Sequence, residues 1–185
     1  MVGDLRASIV IDYQNVHLTG HSRFASTRSL PRHETLVDPL LFAQTLLRAR
    51  NARQRPEMGA AVLRRVLVYR GEPSPVHDSV AYARNQAQKS QWERDRRVHV
   101  TLRPLKYEYE RDAAGRATTD THGLKIPIGL PKEKGVDVLC ALATVREAQD
   151  PATDLVVLAS SDTDLAPPRR SPPSRHREGR DLLLV

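Results

Sequence analysis

Hydrophobic and polar positions alternate along this chain in two rhythms. Short apolar runs at 8–11 ("SIVI"), 66–69 ("VLVY") and 155–159 ("LVVLA") are too short for buried helices and rich in β-branched residues, which is the pattern of strands covered on both faces. A further segment, "VHVTLRPLKYEY", turns Val98, Val100 and Leu102 to one side with period two, as a strand does. Between these runs the spacing changes to that of helices. In "VDPLLFAQTLLRARN", Leu40, Leu41, Ala43, Leu46 and Leu47 recur at helical intervals, and Asp38 before Pro39 supplies an N-cap with proline in the first turn. The stretch "DSVAYARNQAQKSQWERD" offers Asp78 or Ser79 as a cap and places Val80, Ala83, Ala87 and Trp92 on one face. A third helix is expected over 136–148, with Val138, Leu139, Leu142 and Val145 turned to the core.

Strands alternating with helices predict an α/β fold with a mainly parallel central sheet, joined by right-handed crossovers and covered on both sides. Residues 19–35 read as a polar loop and 110–123 as a polar insertion, both long enough to be functional loops. After residue 166 the pattern breaks. Residues 167–178 are dominated by Pro, Arg and Ser, which suits an extended or disordered segment, although "DLLLV" at the end fits a short edge strand. The expected division is therefore one domain over 1–166 and a basic Pro/Arg-rich tail over 167–185.

Composition narrows the function. The chain has 185 residues, with 29 Lys plus Arg against 22 Asp plus Glu, a net charge of +7 that favours a polyanionic partner such as nucleic acid. Its one cysteine, Cys140, excludes a disulfide framework or a cysteine-rich zinc site within the chain, and a reducing, cytoplasmic setting fits best. No charged leader runs into a long apolar core, and no apolar segment nears the roughly 20 residues that span a bilayer, so neither secretion nor a membrane partner is expected. Nothing in the sequence fixes the oligomeric state.

The candidate chemistry lies in aspartates at element ends. Asp12 closes the first strand, Asp162 and Asp164 follow the last apolar run in "SSDTD", and Asp137 opens a helix after "PKEKG". In an open parallel sheet, the carboxyl ends of the strands border the crevice where ligands bind. If the first and last runs are neighbours, Asp12, Asp162 and Asp164 meet at that edge and the helix start supplies Asp137. Clustered carboxylates repel one another unless a cation compensates, and oxygen-only ligands suit Mg²⁺ or Mn²⁺. Each residue also has a simpler role. Asp137 complements a helix dipole by about 0.3–1 kcal/mol, Asp162 and Asp164 suit turns or caps, and Asn15 either caps the segment after Asp12 or orients it through an amide hydrogen bond.

Taken in order, "IVIDYQNV", "KGVDVLCALA" and "LVVLASSDTDL" resemble the three signature blocks of the NYN domain family, a branch of the PIN-like nucleases, over residues 8 to about 165. The resemblance implies a PIN-like three-layer α/β/α sandwich and a metal-dependent endoribonuclease. It places Asp12, Asp137, Asp162 and Asp164 in an Mg²⁺ or Mn²⁺ site, with Asn15 as its polar neighbour. The tail departs from the family, whose members continue past the last Asp with an apolar helix and another strand. On chemical grounds, hydrolysis of a phosphodiester needs an activated water and a cation to neutralise the phosphate, which carboxylate-held Mg²⁺ supplies. Lys132, Lys134, Arg70 and Lys125 are the expected phosphate contacts on RNA. Tyr13 either stacks on a base or packs in the fold, and His17, like the other histidines, lacks a zinc-type spacing. The competing reading is an RNA-binding or regulatory module of the same fold without catalysis. A phosphotransferase or nucleotide-binding domain is disfavoured, because "DYQNVHLTG" is neither a glycine-rich phosphate loop nor an Asp-x-Asp nucleophile pair.

Overall fold

A computed structural model describes residues 3–25, 30–53, 59–161 and the backbone of 181–184. The elements run β1 (Leu5–Asp12), α1 (Tyr13–Phe24), α2 (Pro39–Arg53), β2 (Ala61–Glu72), α3 (Ser79–Trp92), β3 (Val98–Pro104), β4 (Lys106–Tyr109), β5 (Pro127–Lys132), α4 (Val136–Gln149), β6 (Leu155–Ala159) and β7 (Asp181–Leu184). The central sheet has the order β3-β2-β1-β6-β7, and every neighbouring pair in it is parallel. β1 lies in the middle, pairing Ile11 with Val68 of β2 on one side and with Ala159 of β6 on the other.

Period-two alternation sends the sheet's side chains into two cores. Ala7, Ile9 and Ile11 join Ala43, Leu47, Val66, Val68 and Trp92 on the side of α1, α2 and α3, whereas Val10, Leu67, Val156 and Leu158 meet Val136, Cys140 and Ala143 of α4 on the other. Two covered faces explain why β1 and β6 are apolar at consecutive positions rather than alternate ones. The result is an α/β fold with a mainly parallel sheet between helical layers. β7 is the short edge strand that "DLLLV" suggests, and residues 162–180 lie outside the described part.

Four expectations need correction. Residues 13–24, partly assigned to a polar loop, form α1. Its only buried side chains are Tyr13 and His17, and an internal Gly20 costs about 1 kcal/mol of helix propensity, so no apolar stripe announces the helix. The core face of α4 is also different. Val138 (55%), Leu142 (62%) and Val145 (55%) are exposed, Leu139 only packs partly against the core, and the buried stripe is Val136, Cys140, Ala143, Thr144 and Glu147. Glu147 can face inward because Arg64 and Arg65 donate to its two oxygens, each at 3.2 Å. In α3, Val80, Ala83 and Ala87 point outward and the buried residues are Asn85 and Trp92. Leu41 of α2 is likewise exposed. Both predicted caps form, since the Asp38 and Asp78 carboxylates accept from Leu41 N and Ala81 N at 2.8 Å.

The insertion at 110–123 belongs to a ribbon. β4 and β5 pair antiparallel, and bridges between Arg111 and Ala117 and between Thr119 and Lys125 extend the hairpin's loop. Leu105, just before β4, packs on Gly71 so closely that a Cβ there would overlap it. The ribbon is thereby fixed to the end of β2.

Candidate active site

The chain reverses direction across the sheet at β1. Its first crossovers run through β2 to β3 on one side, and α4 then leads to β6 on the other. The carboxyl ends of β1 and β6 therefore flank a switch point, where a crevice opens in sheets of this kind. Asp12 ends β1 there. It is 3% exposed, and it caps α1 by accepting from Asn15 N at 3.3 Å. The Asn15 amide donates to the other carboxylate oxygen at 2.6 Å. From the end of β6, Ser160 Oγ lies 3.4 Å from the same oxygen, while Ser161 Oγ donates to Asn15 Oδ1 at 3.1 Å. Both roles considered for Asn15 are thus present: its backbone is capped by Asp12 and its side chain orients Asp12.

The loop "KEKG" and the start of α4 carry the next two carboxylates, Glu133 and Asp137. Gly135 adopts φ +74°, a conformation that favours glycine, and a Cβ there would also press on the Arg103 guanidinium at 3.1 Å. That turn starts α4 and sets Asp137 in its exposed first turn. Two residues before Gly135, Glu133 folds back toward the sheet. Its Oε2 accepts from Gly71 N at the end of β2, and the Gln14 amide, oriented to satisfy both groups, donates to its two oxygens at 3.2 and 3.3 Å. Burial pushes the Glu133 carboxyl up from 4.5 to about 7; the charges of Asp12 and Asp137 add to this, against the Gly71 N–H and Arg70. Beneath them, burial raises the Cys140 thiol, helped by Asp12, Glu133 and Asp137. Three carboxylates thus act on one region of the sheet edge.

The basic candidates divide into two groups. Arg70, at the end of β2, rests its guanidinium 4.8 Å from the Tyr13 ring centre and 5.7 Å from that of Trp92, and Lys134 is exposed between Glu133 and Gly135. Lys132 and Lys125 stand on the ribbon, the first paired with Glu108 at 2.7 Å and the second 5.5 Å from the Tyr109 ring centre. Tyr13 packs rather than stacks on a ligand: it is 1% exposed and its hydroxyl donates to Val37 O at 3.0 Å. His17 is structural, bonding Arg32 O through Nε2 at 2.9 Å. Asp162 and Asp164 lie outside the described residues, and among those described no three His, Cys, Asp or Glu side chains stand close enough together to hold an ion.

Glu133, Gln14, Gly71 and the serines at 160 and 161 were missed as site residues. The signal for Glu133 was its place two residues before a glycine that opens a helix, but its neighbour Gly71 is distant in sequence.

No protein-family model matches this chain. No curated protein matches it either. Among solved structures, it is similar to a protein of unknown function from Vibrio parahaemolyticus, with 22% identity, a TM-score of 0.45, and coverage of 89% of this chain and 71% of that one. Among the described residues, no helix is long and apolar enough to cross a membrane.

Proposed function

We propose that the protein is a PIN-like, metal-dependent endoribonuclease of the NYN type. The observation that carries this reading is Asp12 at the carboxyl edge of a parallel sheet, beside its switch point, with Glu133 and Asp137 near enough to act on one another's charge though not grouped as a three-ligand ion site. Mutual repulsion there is part of what holds Glu133 near 7, and a cation would relieve it. The donor set fits a hard divalent ion, because Mg²⁺ commonly uses only one or two protein carboxylates and completes its shell with water and substrate phosphate. Asp12 and Asp137 would hold it, with Asp162 and Asp164 as further candidates. The ion would supply charge neutralisation at the phosphate and a more acidic water.

The chain's own groups then have separate tasks. Asn15 and Ser160 fix the Asp12 carboxylate. Gly71 and Gln14 hold Glu133 in the same region. Arg70 and Lys134 face the RNA backbone, and Lys125 and Lys132 extend that basic surface along the ribbon.

The test is cleavage of labelled single-stranded RNA with Mn²⁺ or Mg²⁺, against EDTA and an Asp12→Asn/Asp162→Asn variant shown to be folded. Metal-dependent cleavage lost in the variant supports the nuclease. RNA bound by folded protein without cleavage would instead support a binding module of the same fold.

A further inference from the structure

A cavity of about 240 Å³ opens next to the carboxylates, with Gln14, His17, Arg32, Arg70, Asn85 and Glu133 among its lining residues. Its main feature is an unspent cation. Arg70 is half-buried, and among the described residues it has no carboxylate within ion-pair distance; its guanidinium lies against Tyr13 and Trp92 and donates only to Gln88. A guanidinium carries five N–H donors, and taking a charge out of water is costly unless it is paired. Arg32, exposed on a short 3₁₀ turn, brings a second guanidinium to the same cavity, and His17 secures that turn through Arg32 O.

The wall is built on a buried amide. Asn85 is 3% exposed, donates from Nδ2 to Gly71 O at 2.9 Å, and leaves Oδ1 without a donor among the described residues. Unspent donors alone would suit bare phosphate, but a cavity of this volume has room beside the two guanidiniums for more than the anion. The volume lies below the roughly 300–1,000 Å³ of pockets for drug-sized ligands, which leaves room for one small unit. Glu133 is shared between the cavity and the acidic crevice, so an occupant lies beside the proposed metal site.

We propose that this cavity is a subsite for one nucleotide unit of the RNA, with its phosphate on Arg70 and Arg32. The assignment rests on the nuclease reading and specifies that the enzyme seats a single nucleotide out of the strand beside the bond it cuts. Bases in single-stranded RNA can be splayed into such pockets, whereas bases stacked in a duplex cannot.

The experiment is calorimetric titration of the full chain, in EDTA, with uridine and adenosine 5′-monophosphates, uridine, and inorganic phosphate. Fluorescence of Trp92, the chain's one tryptophan, provides a second readout close to Arg70. The monophosphates are expected to bind without metal, with uridine and phosphate each weaker by about tenfold or more. Arg32→Ala, at an exposed position, should lose about tenfold in affinity with an unchanged melting temperature, and Arg70→Gln should lose at least as much. Absence of monophosphate binding at millimolar concentration overturns the subsite. So does equal binding of bare phosphate, or wild-type affinity in Arg32→Ala. RNA cleavage measured in parallel keeps the two readings apart. Metal-dependent cleavage without monophosphate binding defeats the subsite alone, and binding lost in Arg32→Ala without any cleavage supports the subsite while defeating the nuclease.

Discussion

Replacing Glu133 by Gln should stabilise the protein above neutral pH and leave it unchanged in acid. In the fold, burial and the charges of Asp12 and Asp137 hold this carboxyl near 7, against an ordinary value of 4.5. Between those values the native state keeps a proton that the unfolded chain has released, so stability falls as pH rises through that window and is flat on either side of it. At 1.36 kcal/mol per pH unit the full loss would be about 3 kcal/mol. Glu133 is only half-buried, and solvent screening reduces the expected loss to about 1–2 kcal/mol. Glutamine keeps an oxygen for Gly71 N without the charge. The variant should therefore melt about 2–8 °C higher than wild type at pH 8, with the two curves converging near pH 4. Thermal melts across that range in EDTA measure the difference directly. Depressed groups such as Asp95, held at about 2 by Arg97, act on both proteins alike and cancel. A variant less stable at every pH, or a difference that does not change with pH, would refute the reasoning.

Asp12→Asn should cost under about 1 kcal/mol, because it keeps the α1 cap and the Asn15 amide can turn to meet it, whereas Asp12→Ala loses the cap at about 0.5–2 kcal/mol; equal urea midpoints for the two would contradict this. Gly71→Ala places a Cβ 2.6 Å from Glu133 Oε2 and closer still to Leu105, an overpacking expected to cost about 1–3 kcal/mol in chemical denaturation. If that substitution is neutral, the contact between ribbon and sheet is looser than described. Leu142→Asn, on the exposed stripe of α4, should change stability by less than about 0.5 kcal/mol; a larger loss would mean that this face is covered in solution.

The sheet and its order of elements were legible because burial on both faces demands uninterrupted β-branched runs, and four of the strands carry a recognisable apolar run or alternation. The neighbouring of β1 and β6, on which the meeting of the aspartates depended, follows from β1 standing in the middle of the sheet. Helix faces were misread wherever an inward position is polar. Glu147 of α4 faces the interior because Arg64 and Arg65 donate to it, and Asn85 of α3 because the Gly71 carbonyl accepts from its amide, and those partners lie on another element, β2. Hydrophobic periodicity counts a polar residue as outward whatever it bonds to, so it rotated both helices toward their larger apolar side chains.

The same blindness concealed part of the site. Asp12 and Asp137 stand out because strand ends and helix starts are visible in a sequence. Glu133 belongs with them only because Gly71 lacks a side chain, which lets a carboxylate from the β5–α4 loop reach the backbone at the end of β2. Arg70 follows the same logic: the sequence marks it as one more basic residue after a strand, while the fold lays it on Tyr13 and Trp92 with most of its donors unspent. Residues whose chemistry depends on position in the chain were therefore readable in advance, and residues whose chemistry depends on which distant partner they lack were not. Asn85 falls in the second class and Arg70 in part, since the sequence marks it as a phosphate contact but not as unpaired, and both line the cavity that Glu133 shares with the acidic crevice. A half-buried, unpaired charge beside a proposed reaction centre is costly to the fold, and an anion that pairs with Arg70 when it binds gives that cost a function.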